Sequence, residues 1–358
     1  MLYLSGMTNN LLLYGANGYT GKIITAMAES YGLSPILAGR TVSAIQQLSD
    51  EFKLPYRISD LDDPASIDIL LKDIDVVIHA AGPFSITAKT MIEGCIRNKV
   101  HYLDITGEIP VFEMAKKFDA AAIDAGIMLM PGTGFDVVPT DCMALSLKEQ
   151  LPDATHLELA FTNLGGGVSH GTAITMTQAL GEPGLIRENG KMVSSPIGAK
   201  NRLIDFGKGP WIVMSIPWGD ISTAFHTTGI PNIITYTGIT PSIYRVLKFQ
   251  SLFNWILRKN WVRKKAQEYI NRKPAGPSEE ARKNSLSLVW GEVRNNAGET
   301  KTGRLRGPDG YTLTAHSSLI IAKKVLAGNF LPGYQTPAGC YGSALVMEVP
   351  GTEVIPSF

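Results

Sequence analysis

Four apolar residues near the start of the chain, Leu11-Leu12-Leu13-Tyr14, run without a break into Gly15-Ala16-Asn17-Gly18-Tyr19-Thr20-Gly21. An uninterrupted apolar run of this length is what a strand buried on both faces requires. A helical pattern follows the third glycine, with Ile23, Ile24, Met27 and Ala28 on one face. Strand, tight turn and helix in this order aim the free N–H groups and positive dipole end of the helix at whatever lies beyond the strand, and an anionic phosphate suits that position. Gly15 permits the reversal, Gly18 removes a side chain where a diphosphate would touch backbone, and Gly21 lets the helix press against the sheet. Asn17, Tyr19 and Thr20 complete the loop. The spacing is G-x-x-G-x-x-G rather than G-x-G-x-x-G, but the strand–turn–helix context is that of a dinucleotide site. The Gly21-Lys22 pair does not make a nucleotide-hydrolase loop, because Ile23 stands where a Ser or Thr would hold magnesium.

The same alternation continues to residue 150. Strands are expected at Leu11–Gly15, Pro35–Gly39, Tyr56–Ser59, Asp75–Ala80, His101–Leu103 and Ile127–Met130, with helices over 18–31, 42–53, 64–72, 85–99, 109–125 and 138–150. Short apolar strands separated by helices call for right-handed crossovers and a parallel sheet covered on both faces. This is the α/β doubly wound (Rossmann) fold, whose ligands bind beyond the carboxyl ends of the strands.

Those ends carry the candidate residues. The second strand ends in Arg40 with Thr41 and Ser43 nearby, and no acid stands where an NAD-binding domain grips the ribose hydroxyls. A guanidinium there suits a 2′-phosphate, so NADPH is expected over NADH. The small residues Ala81, Gly82 and Pro83 after the fourth strand leave room for the cofactor. Asp104 and Glu108 follow the fifth strand and Asp136 the sixth, and these acids are candidates for moving the proton that accompanies hydride transfer. Asp136 and Asp141 are equally placed to cap the helix over 138–150. Tyr102 and Thr106 are candidates for positioning substrate or water. His170, within Gly165-Gly166-Gly167-Val168-Ser169-His170-Gly171-Thr172, sits at an expected helix start, as a catalytic group or as part of a cap. Trp218 and Asp220 are candidates for the substrate cleft, Trp218 also for the core.

Several of these motifs together resemble the saccharopine dehydrogenase-like oxidoreductase family. They are Gly15 through Gly21, Ala81-Gly82-Pro83-Phe84, Tyr102-Leu103-Asp104 with Gly107-Glu108, and Pro131-Gly132 through Asp136, Pro139 and Asp141. Pro217-Trp218-Gly219-Asp220, Thr228-Gly229-Ile230-Pro231 and Gly333-Tyr334-Gln335-Thr336-Pro337-Ala338 extend the likeness over most of the chain. Within the family the chain is more similar to the branch containing trans-acting enoyl reductases and saccharopine dehydrogenase-like oxidoreductases than to true saccharopine dehydrogenases, from which it also departs in having no arginine cluster for a dicarboxylic amino acid. The resemblance implies an NADP-type cofactor and a domain inserted after the sixth strand. It also implies reduction of a C=C bond in a small or acyl-type substrate, or else of a C=N bond.

The rest of the sequence agrees. Past residue 150 the alternation stops, and strands are expected at His156–Thr162, Trp211–Ile216 and Asn232–Thr237, with shorter ones at 191–194 and 202–206. A hairpin pairs Ser285–Arg294 with Thr300–Arg306 through Asn295-Asn296-Ala297-Gly298. Leu313–Leu326 reads as a helix capped by Thr312 or Thr314, and Ser343–Val349 as a strand returning to the first sheet. The expected division is 1–141 plus 335–358 for the cofactor domain, and 142–334 for an inserted α+β domain of mixed, mainly antiparallel sheet that binds substrate and forms a homodimer. Residues 242–270 read as one basic, aromatic amphipathic helix, a candidate lid, dimer contact or peripheral membrane contact, and 271–284 as a mobile connector. The near balance of 33 Lys+Arg against 32 Asp+Glu gives no electrostatic case for nucleic acid. Cys95, Cys142 and Cys340 fit reduced thiols, no metal-ligand spacing appears, and with neither a signal peptide nor a membrane-spanning run the expected location is cytoplasmic. The rival to an enzyme is a non-catalytic NADP-binding regulator or lipid-associated scaffold.

Overall fold

The first strand of the computed structural model, β1 (Leu11–Tyr14), is buried along its whole length. Leu11 and Leu13 face one core with Ile24 and Ile45, while Leu12 and Tyr14 face another with Ile67, Met91 and Ile92. A strand enclosed on both faces has no polar side, which is why its sequence reads as a continuous apolar run. The structure describes residues 10–165, 167–178, 181–240, 244, 253–272 and 274–356.

Five more strands follow: β2 (Ile36–Gly39), β3 (Tyr56–Ile58), β4 (Val76–His79), β5 (His101–Asp104) and β6 (Met128–Met130). Between and after them lie α1 (Tyr19–Ala28), α2 (Val42–Phe52), α3 (Pro64–Leu71), α4 (Phe84–Asn98), α5 (Ile109–Lys116), α6 (Asp119–Ala125) and α7 (Val138–Gln150). The helix expected over 109–125 is therefore two, parted at Lys117-Phe118. All six expected strands form, in the order β6-β5-β4-β1-β2-β3, and a seventh, β15 (Gly333–Tyr334), adds in parallel beside β6. Ser343–Glu348, expected as a strand, is instead a 3-10 helix. Its Leu345 and Val346 are buried as consecutive residues, which a strand with one buried face does not permit.

The second sheet holds β7 (His156–Leu164), β8 (Gly184–Glu188), β9 (Lys191–Ser195), β10 (Asn201–Asp205), β11 (Pro210–Ser215), β12 (Asn232–Gly238), β13 (Leu286–Arg294), β14 (Thr300–Pro308) and β16 (Glu353–Val354). Its order is β10-β11-β12-β7-β13-β14-β16, with the β8–β9 hairpin attached to β12. Only β12 and β7 run parallel among these pairs, so the sheet is mixed and mainly antiparallel. One face packs on α7 through Leu157, Leu159 and Val293. The other rolls around a small core of Ala160, Phe206, Val213, Leu288 and Trp290. Arg202 on β10 reaches across this roll to Glu158 on β7 and Glu292 on β13. The Arg304 Nε of β14 donates to the Asp205 carbonyl of β10 at 2.7 Å, so the strand next to the last of the order closes back on the first.

The remaining helices are α8 (His170–Gln178), α9 (Asp220–Thr228), α10 (Asn254–Leu257), α11 (Asn260–Asn271), α12 (Glu279–Lys283), α13 (Gly310–Leu326) and α14 (Pro337–Tyr341). The expected single helix over 242–270 is not one helix where it is described: α10 and α11 are separate, broken at Arg258-Lys259, while residues 242–243 and 245–252 lie outside the described residues. The chain between α11 and β13, expected as a connector, carries α12, whose start Ser278 caps by accepting from the Ala281 N–H. Helix α13 begins at Gly310 because Asp309 accepts from the Tyr311 and Thr312 N–H groups at 3.0 and 3.1 Å. Asp309, not Thr312 or Thr314, is thus its cap, and the Thr314 hydroxyl is released for another use described below.

Candidate active site

The glycine loop is built by close approaches of backbone. Gly15 has φ +86°, and a Cβ there would stand 2.8 Å from the Ala80 carbonyl carbon, so only glycine fits between β1 and the end of β4. A Cβ on Gly21 would stand 2.3 Å from the Gly15 carbonyl oxygen. Gly21 therefore seats α1 on the loop itself, rather than on the sheet as the sequence suggests. A Cβ on Gly18 would lie 3.1 Å from the same oxygen. The loop thus presents bare backbone ahead of a helix start that no side chain caps. That cradle fits a dinucleotide's diphosphate.

The Asn17 Oδ1 lies beside Gly39 at the end of β2, 3.0 Å from where a Cβ would be. Arg40, one residue on, is exposed and makes no ion pair among the described residues. After β4 come Ala80, Ala81, Gly82 and Pro83, the Gly82–Pro83 peptide being cis.

The acids at the ends of β5 and β6 divide into those already engaged and one that is not. Asp104 is fully buried and accepts from the Tyr102 hydroxyl at 2.6 Å and from the Thr106 and Gly132 N–H groups, both at 2.9 Å. Burial still pushes its carboxyl up to about 7. Thr106 accepts from the Glu108 N–H, and Glu108 accepts from the Phe84 and Ser85 N–H groups at 2.8 and 3.0 Å, holding the start of α4. Asp104, Glu108, Tyr102 and Thr106, expected as proton-moving or substrate-positioning groups, have these polar atoms committed to the scaffold.

The scaffold holds the loop from Pro131 to Val137. Its Thr133 hydroxyl donates to the Asp104 carbonyl at 2.9 Å, and its Thr133 carbonyl accepts from Ser317 at 2.6 Å. The Phe135 N–H donates to the Thr314 hydroxyl at 2.9 Å. Asp136, in the middle, has no hydrogen-bond or ion-pair partner among the described residues. Its Oδ2 occupies space that a side chain at position 107 would fill, 2.5 Å from a Cβ on Gly107. Asp136 keeps partial exposure, and burial raises its carboxyl from 3.8 to about 7. Beside it Phe135, Phe161 and Trp218 stack in series, with centroids 5.7 and 4.5 Å apart.

Neither Asp136 nor Asp141 caps α7, whose cap position is Val137 and has no side-chain cap. Asp141 accepts instead from the Thr227 hydroxyl at 2.6 Å and the Ala338 N–H at 2.9 Å, tying α7 to α9 and α14, and burial raises it to about 6. Asp220 is fully buried on α9, and neither of its oxygens has a hydrogen-bond partner among the described residues. The neighbouring Thr140 hydroxyl donates to the Val137 carbonyl. Burial, with repulsion from Asp141 and Asp136, holds Asp220 far above the usual carboxylate range. His170 stands apart, at the start of α8, with its N–H on the Ala275 carbonyl at 2.9 Å. Phe135, Phe161, Gly107 and Gly219 were not anticipated as site residues. A Cβ on Gly219 would lie 3.4 Å from the Gly107 carbonyl, which brings the Trp218–Asp220 turn against the loop after β5. In sequence these positions read as ordinary strand and turn residues.

These raised carboxyls set a pH dependence of stability. Asp104, Asp136, Asp141 and Asp220 hold protons in the folded chain that an unfolded chain releases near pH 4. The folded state binds more protons from about pH 4 up to about 6 for Asp141, about 7 for Asp104 and Asp136, and far above the usual carboxylate range for Asp220, so their contribution is present in acid and is lost as pH rises through the folded values. Asp220→Asn, neutral at every pH, is expected to flatten this decline. Its Tm should exceed the native one at about pH 8 by roughly 2–4 °C per kcal/mol of strain relieved and differ little at about pH 5, as thermal unfolding across pH will measure.

Residues 11–130 match the saccharopine dehydrogenase NADP binding domain. Among curated proteins, a saccharopine dehydrogenase-like oxidoreductase of Mus musculus is 25% identical over 204 residues, 50% of this chain and 48% of the relative. A putative trans-acting enoyl reductase of Mycobacterium tuberculosis is 30% identical over 48% of this chain and 44% of its own. The match thus spans about half the length of the curated relatives. Among solved structures, apo saccharopine dehydrogenase (L-Glu forming) from Saccharomyces cerevisiae superposes with a TM-score of 0.67, covering 97% of this chain and 100% of that one at 14% identity, a likeness of fold.

Proposed function

We propose that this chain, whose residues 11–130 are a saccharopine dehydrogenase NADP-binding domain and whose relatives are saccharopine dehydrogenase-like oxidoreductases, reduces an unsaturated bond using NADPH. The preferred bond is a C=C conjugated to a carbonyl in an acyl-type substrate, with the C=N of an imine second. The enoyl reading draws on the name of the Mycobacterium tuberculosis relative. The observation that carries the reading is Asp136, a carboxyl with no polar partner among the described residues, raised to about 7, at the carboxyl edge of the sheet and beside an aromatic wall.

When bound, the cofactor supplies the hydride. The backbone of Gly15–Gly21 binds the diphosphate, and Arg40 takes the 2′-phosphate. Phe135, Phe161 and Trp218 exclude water from one side of the substrate. Asp136 carries a proton near neutral pH, because burial disfavours its charge and no partner among the described residues offsets that, and gives it to the carbon α to the carbonyl, or to the imine nitrogen. Asp104 and Ser317 hold the loop that aims it. Loss of NADPH absorbance with an enoyl thioester, but not with a cyclic imine, supports the first choice, and the reverse result replaces it with the second.

The cofactor preference is tested separately. Arg40→Ala is expected to weaken NADPH by about tenfold while leaving NADH within about twofold, since only the first carries the group a guanidinium pairs with. Titration of both cofactors measures this, and equal loss would remove Arg40 from phosphate reading.

A second reading, contact with a lipid surface, rests on residues 253–272. Trp255 and Trp261 are 68% and 59% exposed there, alongside exposed Phe253, Tyr269, Lys259, Lys264, Lys265 and Arg272. Aromatic rings among cations suit an anionic bilayer interface. Among the described residues no helix is long and apolar enough to cross a membrane. Sedimentation with phosphatidylserine vesicles, lost on Trp255→Ser with Trp261→Ser, is the expected result.

A further inference from the structure

Tyr19, the first residue of α1 after the glycine loop, is gripped by three segments from the far half of the chain. Tyr311 meets it edge-on, with ring centroids 4.9 Å apart. The Tyr311 hydroxyl in turn accepts from the Ser169 N–H at 2.6 Å. Gly276 lies against the Tyr19 ring so closely that a Cβ would stand 2.5 Å from Cε2. The Tyr19 hydroxyl donates to the Pro277 carbonyl at 2.6 Å and accepts from an Arg282 Nη1 at 3.0 Å.

Arg282 is delivered by the short helix α12. Within that helix Glu279 pairs with Lys283 at 2.8 Å, and Arg282 makes no ion pair among the described residues. Its guanidinium lies 5.7 Å from the Tyr19 ring centroid, and its other bond is to the Pro277 carbonyl at 3.4 Å. Arg282 is a half-buried guanidinium whose hydrogen bonds among the described residues go to neutral oxygens, with no carboxylate at ion-pair distance. The glycine loop beside it has the complementary shortage. Residues 15–21 offer a doubly charged diphosphate only neutral N–H donors.

We propose that Arg282 is the cation with which the far half of the chain engages the dinucleotide's diphosphate, with Tyr19 as the post that holds the guanidinium at the mouth of the loop. The proposal rests on residues 15–21 being the diphosphate loop, and it adds a charged partner from outside the matched domain. A guanidinium pairs with diphosphate oxygens in two parallel bonds, which an ammonium cannot reproduce. Binding then joins the segment from Pro274 to Lys283 to the nucleotide domain through the ligand itself.

Isothermal titration of the full chain with NADPH and with adenosine 2′-monophosphate, which lacks a diphosphate, tests this. Arg282→Met is expected to raise the NADPH Kd about tenfold and to leave the monophosphate within about twofold, with Arg282→Lys recovering part of the loss. Native NADPH affinity in Arg282→Met overturns the proposal and leaves the loop assignment standing. So does equal weakening of both ligands, which marks a structural role. If the native chain binds neither nicotinamide dinucleotide, the loop assignment fails, and the proposal with it.

Discussion

Asparagine at position 136 is expected to leave NADPH affinity within about twofold of native and to slow turnover by about 10²–10⁴-fold, the range that a positioned acid contributes. The substitution keeps the shape beside Gly107 and removes only the transferable proton. The pH profile makes the assignment specific. Reduction needs Asp136 protonated, and burial raises it to about 7. The native rate should therefore be flat in mild acid and fall above about pH 7, while the reverse oxidation, needing the carboxylate, rises through the same range. The residual rate of Asp136→Asn should show neither limb. A variant that retains the native rate and its fall above neutral pH would move the proton donor elsewhere.

Valine at position 21 is expected to abolish cofactor binding, by a factor on the order of 100 or more, since the helix start is the anion site. The reason is backbone against backbone: even a first carbon would lie 2.3 Å from the Gly15 oxygen and 2.8 Å from Ala16 Cα. Neither neighbour is the end of a flexible side chain, so α1 must move off the loop. Gly18→Ala, whose added carbon meets the same oxygen at 3.1 Å, should do less harm. Fluorescence titration of the two variants with NADPH checks the order, and a lowered Tm in Gly21→Val but not in Gly18→Ala would accompany it.

The cofactor half was legible because its signals are local. A strand covered on both faces must be apolar throughout, and a turn that touches a neighbouring strand must be glycine, so β1 and its loop announce themselves within a dozen residues. Asn189-Gly190, which turns the β8–β9 hairpin with both residues at positive φ, was equally local and passed unread. The site was legible only as a set of acids. What separates Asp136 from Asp104 is that the Thr106 and Gly132 N–H groups fold back onto Asp104 while none among the described residues reaches Asp136, in a loop whose Phe135 N–H is held by a helix far along the chain. Thr314 illustrates the difficulty. It looks like a helix cap and instead holds Phe135, because Asp309 has already taken the cap. The connector over 271–284 misled in the same way. Its glycine and charges suggest looseness, yet Gly276 is small because Tyr19 lies against it and Arg282 is charged beside a neutral hydroxyl.

The seam where Arg304 reaches Asp205 bears on how two copies of the chain can associate. A sheet that curls back so that its first strand is tied to the next to last has fewer bare amide rows to offer a neighbour. Lys191–Ser195 is different: among the described residues it is laddered to its hairpin mate alone. Growth of the sheet from one molecule into the next would begin there, and a proline at Ser194, whose N–H points away from β8, should block it.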